Sequence, residues 1–548
     1  MPLASLSQFS PVSLAQADTL LLSLTKSSPV DIVPVSLLKS CHSTFAVLLS
    51  RLANVSFNCG KFPDLYKVSQ ITPLLKKPSL DPSVPSSFRP ISNLRTLAKL
   101  LERLAQAQLR PHLCSAPAFS SYQSAYRPLH STETATVFIA DSLLRSASPT
   151  LLVSLDLSSA FDCVSHSILI NRLANDFGLS GTPLAWLCSY LTSRFQYVAW
   201  NGVNSSSMPL VMGVPQGSVL GPLLFSVYIS PVSRLLDSLG LKHHVYADDT
   251  TLLLLADPNL SLISMLTSSS SALSNWFLFN NLQLNPSKSE VTLVGSRDKL
   301  RELCPFLASG LSLAGSPISL SPSTTILGVT FDSSLNFDSH VSEICRTVNY
   351  HLNALAHIRR FLSIPTANLI ASSIIASRLD YCNSILTGLS SHNLNRLQTT
   401  QNRAARIVLG LNRMTPAEPL LRQLHWLPIH KRINYKIALL TFKTLLLQQP
   451  SYLSPLLVPY NPSRSLRSTN SNFLCKPRVC TAFQSRAFSV AAPHFWNSLP
   501  LSLRLLAVFP PPSLGSSASV SPQQLPNLDL FKRSLKTYLF DSPPFSVT

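Results

Sequence analysis

At 548 residues the chain exceeds one compact domain, and roughly two to four are expected. Apolar residues make up 45% of it, while 44 Lys and Arg against 24 Asp and Glu leave a formal charge of +20. So large an excess disfavours basic partners and favours a polyanion, nucleic acid ahead of an anionic membrane surface; from composition alone, a charge that only aids solubility is an equal reading.

Residues 1–56 are rich in Ser, Leu and Pro and poor in charge. Helical spacing over Ala15–Lys26 and Leu37–Asn54 predicts short amphipathic helices in what reads as an N-terminal extension or linker. No signal peptide is predicted, because the first basic residue is Lys26 and no clean apolar core follows it. Between 57 and 335 helical stretches alternate with short apolar strands, the pattern of an α+β domain. Ile71–Leu75 and Leu151–Leu157 read as strands, and Asn93–Leu109 as a helix with basic residues on its polar side. Val245–Leu255 reads as two strands broken by a polar pair, and Ile326–Phe331 as a strand before the turn Asp332-Ser333-Ser334. The most apolar long stretch, Pro209–Ile229, carries Pro215, Gln216, Gly217, Gly221 and Pro222, which predict a looped, kinked segment and no membrane span.

From 336 to 412 the pattern is helical and basic, with Arg346, Arg359, Arg360, Arg378, Arg396, Arg403 and Arg406. Residues 413–548 form a C-terminal region of helix and Pro breaks, with a Pro/Ser-rich stretch at 507–527 that reads as a disordered loop and a last basic helix, Leu528–Phe540. The ten cysteines are scattered; Cys475, Cys480 and the downstream His494 lack a fourth ligand at zinc-finger spacing. Free thiols in a reducing compartment, nucleus or cytoplasm, are therefore expected.

Three acids stand in apolar surroundings. Asp156 ends the run Leu-Leu-Val-Ser-Leu, and Asp248 and Asp249 sit inside Val-Tyr-Ala-Asp-Asp-Thr-Thr-Leu-Leu-Leu-Leu. A carboxylate in such a run is costly to bury unless paired or bound to a cation. Asp248-Asp249 between two strands reads as a hairpin turn, which antiparallel pairing can bring beside the end of the Asp156 strand. Carboxylates converging there would bind two hard divalent ions, which suits in-line phosphoryl transfer. Taken singly, each has a plainer reading, Asp-Asp as a mere turn and Asp156 as a helix N-cap.

The flanking motifs favour the chemical reading. Phe88-Arg89-Pro90-Ile91-Ser92, Leu155-Asp156-Leu157-Ser158-Ser159-Ala160-Phe161-Asp162, Gly213-Val214-Pro215-Gln216-Gly217-Ser218-Val219-Leu220-Gly221-Pro222, Tyr246-Ala247-Asp248-Asp249, Leu284-Asn285-Pro286-Ser287-Lys288 and Ile326-Leu327-Gly328-Val329 follow one another along the chain. In this order they closely resemble the reverse transcriptases of non-LTR (LINE-type, Jockey-like) retrotransposons: the fingers motif near the incoming nucleotide, motifs A, B, C and D, and the primer-grip hairpin. Tyr-Ala-Asp-Asp alone is a weak signal; the ordered set is a specific one. Residues 336–412 resemble the helical thumb of that family, and the likeness covers roughly residues 30–545. His425-Trp426-Leu427-Pro428-Ile429 and Phe495-Trp496-Asn497-Ser498-Leu499-Pro500 resemble C-terminal segments of such elements and read as aromatic-Pro packing.

The resemblance implies a right-hand polymerase: fingers and palm over 57–335, then a helical thumb and the C-terminal region. It implies an RNA-directed DNA polymerase that uses an RNA template, a DNA primer at target DNA and deoxynucleoside triphosphates, with two Mg²⁺ ions (or Mn²⁺). Asp156, Asp248, Asp249 and the Leu157 carbonyl would be the metal ligands. Phe161 would lie under the sugar and exclude a 2′-hydroxyl. Gly217 would let backbone approach the nucleotide, with Gln216 bonding base or backbone, and Arg89 would bind the triphosphate, helped by Lys76 and Lys77. Lys288 would protonate pyrophosphate or simply contact a phosphate.

The chain also departs from the family's pattern. Nothing in residues 1–60 could form the endonuclease that such elements usually carry upstream, and no Cys-Cys-His-Cys knuckle is seen, so a fragment, a shortened gene or a truncated copy is expected. Ser124-Ala125-Tyr126-Arg127 has Ala125 where Gly is commoner and Tyr126 where Phe is commoner. The rival expectation is a catalytically idle relic that only binds nucleic acid.

Overall fold

The computed structural model describes residues 5–255, 262–307, 311–460, 472–507 and 527–542. The strands that position the site are, in chain order, β1 (Val68–Leu75), β2 (Phe88–Asn93), β3 (Thr150–Leu155), β4 (Leu157–Ser158), β5 (Arg194–Trp200), β6 (Val203–Asn204), β7 (Met208–Leu210), β8 (Lys242–Tyr246), β9 (Asp249–Leu255), β10 (Gln283–Leu284) and β11 (Glu290–Val294). The central sheet, the palm, has the order β11-β3-β9-β8 and is antiparallel throughout. β1, β2, β5, β6 and β7 form a second sheet, the fingers, in which β1 lies parallel to β5. The arrangement is the expected α+β one.

β3 reads as an unbroken apolar run because both its faces are covered. Leu151, Val153 and Leu155 enter a core shared with the N-terminal helices and the Gly221–Ile229 helix. Leu152, with Leu253 and Val294, enters a second core built on the Thr132–Arg145 helix and the chain beyond Ile326. The palm sheet is the wall between the two, so its strand ends are fixed from both sides.

Residues 5–56, in the segment expected as an extension or linker, pack as part of the body. Helices Leu14–Leu22, Val35–Ser40 and His42–Asn58 form there, the first closed by a Ser13–Gln16 capping box. The stretch expected as one helix over Leu37–Asn54 breaks at Cys41, which joins the last two. Phe9, Leu21, Leu49 and Phe57 are buried, and Leu6 exchanges main-chain hydrogen bonds with Gly178 and Ser180. The Asp31 carboxylate accepts from the Thr96 N–H at 2.6 Å, supplying the start of the Thr96–Ser115 helix with a cap from 65 positions away. A charge-poor composition fits a linker and a buried amphipathic helix alike; only the partner face separates them.

Ile326–Phe331 reads as a strand from its apolar run and as a hairpin from the family resemblance, and it forms the turn and second strand of a hairpin. Ser323–Ile326 pairs with Val329–Asp332, turning at Leu327 (φ 48°) and Gly328 (φ 77°). Left-handed conformations at both central residues match the twist of the flanking strands. Beyond it, the thumb pairs helices Asp338–Ile358 and Ser391–Leu409, the latter stopped by Gly410 at φ 70°. Val341, Ile344, Val348, Leu352 and Leu355 recur at helical spacing on the buried side.

The C-terminal helices Ile429–Leu447, Phe488–Ser498 and Leu528–Asp541 close over the Thr132–Arg145 helix. Tyr452 OH meets Ser124 Oγ at 2.7 Å and Thr134 Oγ1 at 2.9 Å, and Ser489 N donates to Asp141 Oδ1 at 2.7 Å. Trp426 and Trp496 are buried, and Trp496 Nε1 donates to the Asn472 carbonyl. Residues 508–526, nearly all of the stretch expected as a disordered loop, lie outside the described residues. Among the described residues no helix is long and apolar enough to cross a membrane; Pro209–Ile229 is the end of β7, a loop and a nine-residue helix.

Candidate active site

β3 ends at Leu155, and its pairing with β9 (Leu155↔Thr250) brings Asp156 level with Asp249. β8 and β9 are joined by a two-residue turn, Ala247-Asp248, enclosed by the Tyr246↔Asp249 pair. Ala247 takes the left-handed conformation (φ 56°) that a tight hairpin needs at its first central position. Asp156, Asp248 and Asp249 thus gather at one end of the palm sheet. Burial, and then the Asp156 charge, push the Asp248 carboxyl above the usual range. Burial, then Asp248 and Asp156, push Asp249 up to about 6.

Asp156 is gripped through its backbone. Its carbonyl accepts from Asn285 N at 2.8 Å, and its N–H donates to Ser289 Oγ at 3.2 Å. This turn carries Lys288, whose Nζ lies 3.9 Å from Asp156 Oδ2. Because Asn285 bonds Asp156, the Leu157↔Leu284 pair of β4 and β10 is the non-hydrogen-bonded kind. The Leu157 carbonyl therefore turns away from β10.

Asp156 Oδ2 is buried and accepts no hydrogen bond. An orphaned carboxylate oxygen beside two repelling carboxyls is a hard-oxygen donor set that fits a divalent cation. Among the described residues no three His, Cys, Asp or Glu side chains close into a ready metal site. A cation held here would keep positions open for substrate oxygens.

The residue that holds the acidic turn escaped the sequence reading. Gln123 is fully buried, and its Oε1 accepts from both Ala125 N and Ala247 N at 3.0 Å. The same segment runs beside β8, with Val245 N donating to Tyr122 O and Ser124 N to Val245 O. The one available signal was its place directly before Ser124-Ala125-Tyr126-Arg127. Tyr126, at φ 58°, faces the acids: burial first, then Asp248, Tyr246 and Asp249, push its phenol up.

A second wall joins the Ala160–Cys163 turn to the loop after β7. Val214 N donates to Phe161 O at 3.0 Å and Gly213 N to Val164 O at 2.8 Å. Gln216 Nε2 lies 2.9 Å from both carboxylate oxygens of Asp162, whose pKa burial raises and this bond offsets in part. The Phe161 ring stacks on Phe225 with centroids 4.4 Å apart. Gly217 sits at φ 124°, and a Cβ there would lie 2.6 Å from the Ser92 carbonyl oxygen. Its close approach is to the chain's own β2, whose Ser92 N donates to Gln216 O at 2.7 Å.

Phe161, Gln216 and Gly217 therefore share one wall, and Asp156, Leu157, Asp248, Asp249 and Lys288 another. Arg89 stands apart, exposed on β2 and without an ion pair among the described residues. Lys76 Nζ donates to Ser86 O and closes the β1–β2 loop.

Residues 75–331 match the family described as reverse transcriptase (RNA-dependent DNA polymerase). They are a reverse transcriptase domain. It runs from the end of β1 to the strand after Gly328 and contains both walls. The chain is 29% identical over 376 residues to the RNA-directed DNA polymerase from mobile element jockey of Drosophila melanogaster, covering 66% of this chain and 40% of that one. It is 27% identical over 459 residues to the probable RNA-directed DNA polymerase from transposon BS of the same species, covering 81% and 49%. The chain thus spans half or less of the length of these relatives. A telomerase structure from Candida albicans aligns over 76% of this chain and 72% of that one at 14% identity and a TM-score of 0.34, a likeness that carries no argument. The retroelement resemblance read from the ordered motifs agrees with the relatives.

Proposed function

We propose that the chain is an RNA-directed DNA polymerase of a non-LTR, Jockey-like element, extending a primer 3′-hydroxyl on an RNA template. The observation that carries this reading is the convergence of Asp156, Asp248 and Asp249 at one sheet end within the reverse transcriptase domain. Two Mg²⁺ ions (or Mn²⁺), held by these carboxylates and the Leu157 carbonyl, would lower the pKa of the primer hydroxyl and neutralise the departing pyrophosphate.

The chain's own residues supply the rest. Lys288, beside Asp156, is the candidate acid for pyrophosphate. Phe161, backed by Phe225, offers a stiff ring where a 2′-oxygen would collide. Gln216 turns its amide nitrogen to Asp162 and so keeps the loop in shape, with its Oε1 left for a base or backbone donor. Arg89, exposed and unpaired, has its planar fork available to a triphosphate. The partners are then an RNA template, a DNA primer at target DNA and deoxynucleoside triphosphates. Nine cysteines, all free thiols, suit the reducing nucleus or cytoplasm among the described residues.

The test is primer extension by the purified chain on an RNA template with Mg²⁺ and dNTPs. Extension by several nucleotides is expected. A folded protein that binds the primer–template and adds no nucleotide would sink the reading.

A further inference from the structure

A cavity of about 260 Å³ opens between the thumb and the C-terminal helices, sharing no residue with the palm site. Asp380 and His425 line it together with Arg432, Tyr435 and Lys436 of the Ile429–Leu447 helix, and Lys536 reaches it from the Leu528–Asp541 helix. Its charges are unequal. Asp380 Oδ2 is bonded by Arg432 Nη1 at 2.6 Å, and Glu133 Oε2 by Lys436 Nζ at 2.9 Å. Asp529, on the same C-terminal helix, is paired with Lys532 at 3.0 Å. Each of these carboxylates has its cation, and Lys536 has no carboxylate partner among the described residues. Burial and the facing Arg432 push its pKa down. Lys443, two turns along from Lys436, is likewise disfavoured as a cation by burial and then by Lys532 and Lys436.

A partly buried ammonium that faces a guanidinium and lacks a counter-ion of its own is a standing cost to the fold. Arg432 is already held in place, its Nε donating to the Leu427 carbonyl at 2.9 Å, and its Nη2 has no hydrogen-bond partner among the described residues. The Tyr435 hydroxyl is also without one among the described residues. An ammonium, one guanidinium nitrogen and a phenol lining one cavity are a donor set suited to tetrahedral oxygens. Leu427 and Leu439 complete the lining with apolar surface. The volume falls below the roughly 300–1,000 Å³ of drug-sized ligand pockets, which leaves room for a sugar–phosphate unit and not for a large cofactor.

We infer that this cavity is a phosphate-binding site, in which Lys536, Arg432 and Tyr435 hold one backbone phosphate of a nucleic acid with no residue of the acidic site taking part. Phosphate recognition stands on the cavity alone; the nucleic-acid source rests on the polymerase reading above. The test uses the full chain, Lys536→Gln and Tyr435→Phe, with two probes, a labelled single-stranded RNA and inorganic phosphate.

Lys536→Gln is expected to weaken RNA binding about three- to tenfold and to lower the salt slope by about 0.7. Its melting temperature without ligand should be equal or higher, because the repulsion from Arg432 is removed. Tyr435→Phe keeps the ring and should weaken binding by a smaller factor, which preserves the test if Lys536→Gln folds poorly. A melting-temperature rise with phosphate, above that with equal chloride, that is lost in both variants while RNA affinity holds would assign the site to free phosphate. Wild-type RNA affinity, salt slope and phosphate response in both variants would overturn the inference. That outcome is separate from failure of the polymerase reading, which is read from extension by the unaltered chain.

Discussion

In the thumb, Arg359 donates to the carbonyls of Ile407, Val408 and Leu362, Arg403 to the side chains of Asn349 and Asn353, and Arg406 to the Thr415 carbonyl. At the end of the palm sheet, Asp156 keeps an oxygen that accepts nothing, and burial and mutual repulsion raise the pKa of Asp248 and Asp249. Both regions stand out in the sequence by their charge, yet Arg359, Arg403 and Arg406 have hydrogen-bond partners where Asp156 Oδ2 has none. Arginine has five donors on a long, flexible stem, which lets it close helix ends and bridge helices. A short Asp on a strand end has no such freedom, so its need for a partner remains. Net charge is therefore a poor guide to which residues meet the ligand; the unmet bond is the better one.

The sharpest way to break this contrast is at the acids. Asp156→Asn or Asp248→Asn should abolish primer extension while RNA–DNA binding stays nearly intact, since each removes a ligand charge with little change of shape. Melting temperature should hold or rise, because a repelling charge is gone. Extension at near wild-type rate by either variant would remove the metal-ligand assignment.

Gln123 tests whether the acids depend on their support. Gln123→Ala leaves the Ala125 and Ala247 N–H groups unpaired in the core and should lower stability by about 1–3 kcal/mol. With the turn loosened, kcat should fall at least tenfold while primer–template affinity changes little; unchanged kcat would show that the turn holds without it.

The basic side is sharpened by comparing two arginines. Arg403→Ala should lower stability by roughly 0.5–1 kcal/mol and leave the salt dependence of RNA binding unchanged, because its guanidinium already serves Asn349 and Asn353. Arg360, exposed beside the Phe361 ring, should do the reverse: Arg360→Ala keeps stability and lowers the salt slope by about 1. A slope that follows Arg403 instead would overturn the distinction.

The smallest effect concerns pH. His244, behind the acidic hairpin, meets Ser124 Oγ at 3.0 Å, and burial, then His243 and His130, push its pKa down to about 3. As pH falls below the unfolded value of about 6.5, the unfolded chain binds a proton that the folded chain refuses until about 3. Stability is thus lost through that window, by about 1 kcal/mol near pH 5.5. His130, pushed down to about 4 by burial and then by Arg127, should add a similar loss. Denaturant melts of His244→Gln should show its share of the acid sensitivity gone; an unchanged pH profile would mean His244 is protonated in the fold.

The sequence by itself determined the local pieces: an apolar run ending in Asp156, two strands broken at Asp248, a glycine at 217 and a basic helical stretch after 336. Each follows from spacing and from turn chemistry acting over a few residues. Only the tertiary structure decided which partner each piece meets. Asp31 caps a helix 65 positions on, Tyr452 bonds Ser124 across 328, and Gln216 is claimed by Asp162 across 54. The same folding made residues 5–56 body, set Gly217 against Ser92, and gave Arg359, Arg403 and Arg406 their partners. The reason is physical: a hydrogen bond or a buried face needs two groups, and one stretch of chain carries only one of them. Periodicity shows that Leu21 or Arg403 wants a partner; only packing shows which one it has.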